Sequence, residues 1–306
     1  MKRSRFRVVM DALLRTMRRQ VRNAVVQQGV PVTLEQREQL ASAMLPAIRR
    51  ARAQSHALGA QMLETQAQAL EIPTPPVQPV RRYERQAVVT MLENVTLVSD
   101  RSSNATVTVD DPGEATERRP RVSVTVVDPE SRRSSRVSVE VTEDNRRDPE
   151  VVKVIADKVQ AVAERHARMP SREALTDAVE SDEDDDGPEI GWARVLTGAE
   201  SCGFCAMLAS RGPVFKSKKS ASDAGGVDGK AYHDNCDCEV VLVREDQDWV
   251  GREEYEALEQ LWASSTAGTN GKSALKAFTA ALNQEIVDGT AGRFIADPDR
   301  EPEADI

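Results

Sequence analysis

Five side chains with the chemistry of metal ligands lie in one short stretch of this 306-residue chain. They are Cys202, Cys205, His233, Cys236 and Cys238, and they include all four cysteines of the sequence. A Cys-x-x-Cys turn presents two sulfurs to one ion, and a second group of thiols and histidine after a loop can complete the tetrahedral shell that Zn²⁺ prefers. We predict a structural zinc site with Cys202 and Cys205 as the firmer pair, completed by Cys236 and either His233 or Cys238.

The residue types leave other chemistries open at this cluster. Reduced, buried cysteines are the chief alternative to zinc. Disulfides are the third and least favoured alternative, because no export signal precedes the cysteines and a reducing cytosol favours thiols. A zinc deaminase is excluded, since it needs His-x-Glu ahead of its Cys-x-x-Cys and no glutamate follows His233 at that spacing. A Cys–His enzyme needs one activated thiolate, whereas several neighbouring thiols favour ligation. No catalytic residue is therefore predicted.

Charge is unevenly distributed along the chain. The net charge is −9, yet residues 1–60 hold twelve Lys and Arg against three acids, and residues 245–306 hold fourteen acids against five bases. The basic N-terminal part is predicted to meet nucleic acid or an acidic protein surface, and a solvated helix face explains it equally well. No apolar run approaches the roughly 18 residues of a membrane-spanning helix, so no membrane partner is expected.

The elements around the cluster begin with two N-terminal helices. Residues 5–28 repeat apolar side chains at helical spacing, and Gly29 and Pro31 end this first helix. Thr33 with Gln36 forms a capping box for a second helix. That helix is expected to reach about Glu71, with a kink near Pro46 where a backbone donor is lost. Two helices joined by a short connection predict a helical hairpin, and the prolines that follow predict an extended spacer.

Beyond the spacer the hydrophobic period changes from helical to two. Residues 121–127 and 136–142 alternate valine with polar residues and predict a β-hairpin, to which residues 104–109 would add a third strand. Helices are expected after that hairpin and after the cysteines, at 148–168, 171–179, 253–262 and 273–286. The predicted fold class is α+β and predominantly α-helical, with a compact Cys/His-rich α+β domain near the C-terminus.

These patterns divide the chain into seven predicted parts. They are a basic helical domain at 1–72, a Pro-rich linker at 73–81, a mixed segment with the β-hairpin at 82–147, helices at 148–180, an acidic linker at 181–189, the Cys/His-rich domain at 190–243 and an acidic helical tail at 244–306.

The residues that flank the cysteines resemble a known family. Residues 192–215, WARVLTGAESCGFCAMLASRGPVF, and residues 232–238, YHDNCDC, are similar in order and spacing to the C-terminal motif of MuF-like phage minor head proteins. The similarity is strongest to the members from actinobacterial phages, and it covers about residues 165–243. The flanking tryptophan and glycines agree as well as the cysteines, so the motif is specific.

The resemblance implies a minor capsid protein of low copy number that acts in head morphogenesis. Such proteins are encoded beside the portal, enter the prohead, and contact the portal protein, other head proteins and DNA. The implied location is the virion, at the head interior or near the portal, with the host cytoplasm during assembly. Some members are labelled capsid maturation proteases, so the alternative is a metal-dependent or Cys-based protease or nuclease. With no catalytic constellation in the chain, we expect a protein that is not an enzyme.

Overall fold

The computed structural model of the protein describes residues 3–96, 121–127, 134–181, 189–197, 202–215 and 238–297. Several predicted features lie outside these ranges. They are the third strand at 104–109, most of the acidic linker at 181–189, and the candidate ligands His233 and Cys236.

The two N-terminal helices are confirmed, and their start and stop signals act as the sequence predicts. Helix α1 spans Arg3–Gln28 and helix α2 spans Leu34–Ala69. Gly29 follows α1 with a φ of 78°, a left-handed conformation in which glycine has no steric cost. At the start of α2, the Thr33 hydroxyl accepts from the Gln36 backbone N–H at 3.2 Å, and the Gln36 side chain accepts from the Thr33 backbone N–H at 3.2 Å. This reciprocal pair is a capping box.

One predicted break in a helix is absent. The sequence predicts two helices around Pro170, but α4 runs without interruption over Pro149–Ser181. A Cβ added to Gly59 of α2 would lie 2.6 Å from backbone atoms of Ser171, so the two helices pack in direct backbone contact beside the proline. Burial of this face outweighs the backbone hydrogen bond that proline cannot form, because most helical stability in proteins comes from tertiary packing.

A two-stranded antiparallel sheet confirms the predicted β-hairpin. Helix α3, Arg85–Thr96, precedes it in the chain, and strands β1, Arg121–Val127, and β2, Ser134–Glu140, form it. Its register pairs Arg121 with Glu140 and Val127 with Ser134. The second strand thus begins two residues earlier than the valine alternation indicates.

A second, three-stranded antiparallel sheet carries the region of the cysteines. Strands β3, Ile190–Val195, β4, Val214–Phe215, and β5, Glu239–Arg244, lie in the order β4-β3-β5, with the short helix α5, Gly203–Ala209, between β3 and β4 in the chain. One face contributes four residues to an apolar cluster that also contains Trp249 and Ala296; the four are Ala193, Val195, Val241 and Val243. The alternate residues of β3 and β5 are buried too, so the sheet is covered on both faces.

The C-terminal helices are confirmed close to their predicted ends. Helix α6 spans Arg252–Thr266, α7 spans Gly271–Val287, and a 3₁₀ turn follows at Ala291–Phe294. Trp262 and Phe278 join α6 to α7, with ring centroids 5.1 Å apart. In the part of the chain that the structure describes, none of the helices has the length and apolar character needed to cross a bilayer.

The chain forms two compact units. The cysteine unit comprises Met1–Leu13, Arg52–Arg81 and Ala167–Ile306, and the hairpin unit comprises Leu14–Ala51 and Arg82–His166. The three described cysteines all belong to the cysteine unit, together with β3, β4, β5 and the C-terminal helices. The seven-part division of the sequence stays a prediction. The predominantly helical α+β fold class is confirmed.

Candidate functional site

Cys202 and Cys205 lie at the beginning of helix α5. Cys202 is the N-cap residue, with an extended backbone and an exposed side chain, and its Sγ accepts a hydrogen bond from the backbone N–H of Cys205 at 3.3 Å. An N-cap side chain satisfies a backbone donor that the helix cannot satisfy internally. Gly203, between them, faces α7, where a Cβ would collide with the side chain of Thr279. The Cys-Gly-Phe-Cys turn is therefore fixed by capping and by close packing.

Cys205 and Cys238 bring two sulfurs together from distant parts of the sequence. Their Sγ atoms are 3.8 Å apart, and each residue is only 1% exposed. Cys238 directly precedes β5, so pairing of β5 with β3 places it beside α5. Two thiolates bound to one tetrahedral Zn²⁺ at about 2.3 Å are separated by about 3.8 Å. The separation therefore fits one edge of a zinc site and equally fits a hydrogen bond between two reduced thiols.

The complete predicted ligand set is not present among the described residues. Within the ranges given above, no three His, Cys, Asp or Glu side chains are grouped so that they could hold a metal ion. Cys202 is linked to Cys205 through the backbone hydrogen bond, and Cys205 contacts Cys238 through sulfur. His233 and Cys236 lie outside the described residues, so the five-residue ligand set and the zinc ion stay predictions.

Two buried arginines converge on Cys238. Arg194 of β3 is 3% exposed, and its Nη1 lies 3.3 Å from the Cys238 Sγ. Arg172 of α4 is 5% exposed, and its Nη2 donates to the Cys238 carbonyl oxygen at 3.0 Å. One guanidinium thus contacts the sulfur while the other holds the backbone of the same residue. A guanidinium within hydrogen-bond distance stabilises a sulfur that carries negative charge.

Strand pairing explains how Arg194 reaches Cys238. Arg194 pairs with Val240 across the antiparallel ladder, and Cys238 lies two residues before Val240. Diagonal neighbours at this spacing lie on the same face of a sheet, within reach of a long side chain. Trp192 and Leu242, the next pair on that face, are both buried. The position of the guanidinium is therefore set by sheet register.

The surroundings of Cys238 combine apolar and charged side chains. A small hollow beside it is lined by Phe6, Met10 and Met62 and also by Arg168, Arg172 and Glu239, among others. At its rim, Arg7 donates to the Glu239 carboxylate, with 2.7 Å between Arg7 Nε and Glu239 Oε1. Because Cys238 and Arg194 are almost fully buried, water screens the interaction between the guanidinium and the sulfur only weakly.

Sequence reasoning missed both arginines of the site. Arg194 does give a signal, because it is the one charged residue in a strand that otherwise reads Ile-Gly-Trp-Ala-Val. A charge in a strand buried on both faces needs a partner, so the sequence predicts that Arg194 contacts an acceptor in another part of the fold. Arg172 gives no such signal, since it is one of several charged residues along the helix α4.

The basic N-terminal part is partly neutralised within the hairpin unit. Arg18 and Arg22 of α1 form ion pairs with Glu164 and Asp157 of α4, with nitrogen–oxygen distances of 3.1 and 2.7 Å. Two more arginines of the unit, on α2, form pairs with glutamates, Arg37 with Glu93 and Arg49 with Glu84. Contact with DNA through this part of the chain stays a prediction.

Comparison with known proteins relates the chain to phage proteins. A sequence profile of the family described as VG15 protein matches residues 2–265. The Gene 15 protein of Mycobacterium phage L5 is 31% identical over 142 residues, which cover 36% of this chain and 47% of that protein. The Gene 15 protein of Mycobacterium phage D29 is 32% identical over 130 residues, which cover 34% and 46%.

The chain spans about half the length of these relatives. No solved structure matches it.

Proposed function

The chain belongs to the VG15 protein family, and from this premise we propose that it is a minor capsid protein of the MuF-like type, which acts in phage head morphogenesis. The observation that carries the proposal is the motif at residues 192–215 and 232–238, which resembles the C-terminal motif of MuF-like head proteins. Relatives from two mycobacteriophages support the phage origin of the family. The partners are the portal protein and other head proteins, and the location is the virion.

The cysteine unit supplies a structural module in this proposal. Cys205 and Cys238 are almost completely buried, which suits side chains that hold a fold together better than side chains that meet a substrate. We propose that zinc is bound by four of the five predicted ligands, Cys202, Cys205, His233, Cys236 and Cys238. The sulfur separation of 3.8 Å and the guanidinium beside Cys238 support a thiolate-bound metal. A closed shell of this kind stabilises the domain and leaves no position for substrate.

The N-terminal helices supply the docking surface in this proposal. Arg15, Arg19 and Arg50 are exposed, and none of the ion pairs described above includes them. They would contact an acidic surface of a head protein or the packaged DNA. Binding to DNA would weaken steeply with salt, because phosphate contacts release counterions.

Assembly of phage particles in cells tests the proposal directly. Particles made with the full-length chain are purified, and its copies per particle are counted by quantitative mass spectrometry against the major capsid protein. We expect a few copies per particle. A chain that is expressed but absent from proheads and from mature particles contradicts a minor capsid function.

Paired cysteine variants connect the metal site to assembly. Cys238→Ser removes a buried sulfur that contacts Cys205, whereas Ser210→Ala changes a buried residue at the end of α5 whose hydroxyl donates to the Met207 carbonyl oxygen. We expect Cys238→Ser to lower the incorporation into particles and the zinc content together, and Ser210→Ala to leave both near wild type. Incorporation at the wild-type level, with blocked cleavage of other head proteins, would instead favour the alternative of a Cys-based or metal-dependent protease.

A further inference from the structure

Cys205 and Cys238 are placed to react with each other. The Cys205 thiol donates to the Cys238 sulfur, and the two Sγ atoms are 3.8 Å apart. In a disulfide the two sulfurs are about 2.0 Å apart, so these two have to approach each other by less than about 2 Å. The contact joins residues that are 33 positions apart in the sequence. The fold therefore brings two distant thiols close to the geometry of a covalent cross-link.

Both cysteines are held by ordered parts of the cysteine unit. Cys205 lies in α5, and this helix packs so closely on α7 that a Cβ added to Gly203 would collide with the Thr279 side chain. Cys238 directly precedes β5, which pairs with β3 along its whole length, and its carbonyl oxygen accepts from Arg172 at 3.0 Å. Two groups that are held in position react without the entropic cost of an encounter.

The hollow beside Cys238 gives a small oxidant a route to this pair. Cys205 and Cys238 are each only 1% exposed, so large reagents are excluded. Cys238 lines the hollow together with Met62 and Val240. Among the described residues the hollow is partly open to solvent and has room for a molecule of the size of water. Hydrogen peroxide is little larger than water, so it is an oxidant of suitable size.

We propose that Cys205 and Cys238 form an oxidation site, at which hydrogen peroxide produces an intramolecular disulfide. The Cys238 thiol loses its proton and its sulfur attacks one peroxide oxygen; the O–O bond breaks, and the departing hydroxide takes up the proton and leaves as water. The Cys205 sulfur then attacks the sulfur of the sulfenic acid; the S–O bond breaks, and the hydroxide leaves as a second water with the proton of the Cys205 thiol. Two thiols are oxidised to one disulfide, and one peroxide is reduced to two waters.

This inference needs only the two described sulfurs and does not depend on a metal. In a molecule that carries zinc on these sulfurs, the ion leaves when the disulfide forms, because thiolates and not disulfides are metal ligands. The reducing cytosol that disfavours a disulfide is a property of the compartment and not of the geometry. The time of oxidation rests on the proposed function: a particle that has left the cell no longer meets the cytosolic reductants.

Peroxide treatment of the full-length chain tests the site. Cys202→Ser and Cys236→Ser together leave Cys205 and Cys238 as the only cysteines of the sequence. This double variant is treated with a chelator, exposed to hydrogen peroxide under native conditions, and analysed by mass spectrometry without reduction. We expect the monomer to lose two hydrogen atoms, its two cysteine peptides to become linked, and a reductant to reverse both changes. In the wild type, sequencing of fragment ions should place the bond between the same two residues.

Two matched variants test the order of the steps. Adding Cys205→Ser to the double variant leaves Cys238 alone, and adding Cys238→Ser leaves Cys205 alone. We expect a sulfenic-acid trap such as dimedone to label the first variant and to label the second much less, because Cys238 is the residue that lines the hollow. Labelling of Cys205 alone would overturn the route through the hollow.

The stability of the cross-linked double variant completes the test. A disulfide that suits the native fold typically lowers the unfolding equilibrium constant by about 30–700-fold, and urea denaturation with and without reductant measures this change. Cross-linking that occurs only in urea, a cross-linked form less stable than the reduced one, or a different dominant pairing in the wild type would each overturn the inference. The test uses neither particles nor bound metal. Its failure therefore leaves the proposed capsid function and the zinc site standing, and their failure leaves its result unchanged.

Discussion

Arg22 of the hairpin unit and the arginines beside Cys238 in the cysteine unit lie in different environments. In the hairpin unit, Arg22 pairs with Asp157 at the surface, with the two side chains 41% and 55% exposed. In the cysteine unit, Arg172 and Arg194 are almost fully buried and converge on one cysteine. An exposed ion pair contributes about 0–1 kcal/mol, whereas a buried hydrogen bond from a charged donor contributes about 1.5–3 kcal/mol.

Net charge is a poor guide to the positions in this chain where a charged side chain has a large effect on stability. The excess of basic residues lies in residues 1–60 and is the most conspicuous electrostatic feature of the sequence. Yet Arg18 and Arg22 meet acids on the same unit, and water largely screens the Arg22–Asp157 pair. The arginines with the larger expected energies lie in β3 and α4, where local charge counts are unremarkable.

Removal of the metal should give the largest difference in stability between the two units. If zinc holds the cysteine unit, a chelator should increase hydrogen exchange in β3 and β5 by several orders of magnitude, because binding free energy at a structural zinc site is folding free energy. The helices of the hairpin unit around Arg22 and Asp157 should change much less. Hydrogen exchange with mass spectrometry on the full-length chain measures both regions at once. Equal changes in the two units would contradict a locally stabilising metal.

Loss of the backbone anchor should have an intermediate effect. Arg172→Met removes the hydrogen bond to the Cys238 carbonyl oxygen and keeps most of the side-chain volume. Because a hydrogen bond from a charged donor contributes about 1.5–3 kcal/mol, we expect the free energy of unfolding to fall by about 2 kcal/mol. Urea denaturation measures the change. A loss below about 0.5 kcal/mol would mean that Arg172 contributes no more to the free energy of unfolding than an ordinary surface residue does.

The surface pair of the hairpin unit should give the smallest effect. A double-mutant cycle with Arg22→Met and Asp157→Asn isolates the energy of the pair whose atoms are 2.7 Å apart. We expect a coupling of less than about 1 kcal/mol at low salt, because both side chains are well solvated. High salt should reduce it further, since the Debye length falls to about 3 Å at 1 M. A larger coupling that salt does not change would contradict the expectation that the exposed pair is weaker than the buried arginine contacts of the cysteine unit.

The sequence alone determined most of the local structure. The capping box of Thr33 and Gln36 marks the start of α2, and Gly29 marks the end of α1. Valine alternation predicts the paired strands β1 and β2, with an error of two residues at each end of β2. Each of these features depends on residues within a few positions of one another, so composition and period are enough to find it.

Other features depend on tertiary packing, and local sequence patterns could not predict them. Pro170 is a helix breaker by type, yet α4 continues through it where Gly59 allows α2 to approach the backbone of Ser171. Residue type and spacing identified the cysteines as candidate metal ligands. The contact between Cys205 and Cys238, and the guanidinium of Arg194 beside them, follow from the register of β3 and β5. That register pairs residues more than forty positions apart, and it depends on which faces the whole unit can bury.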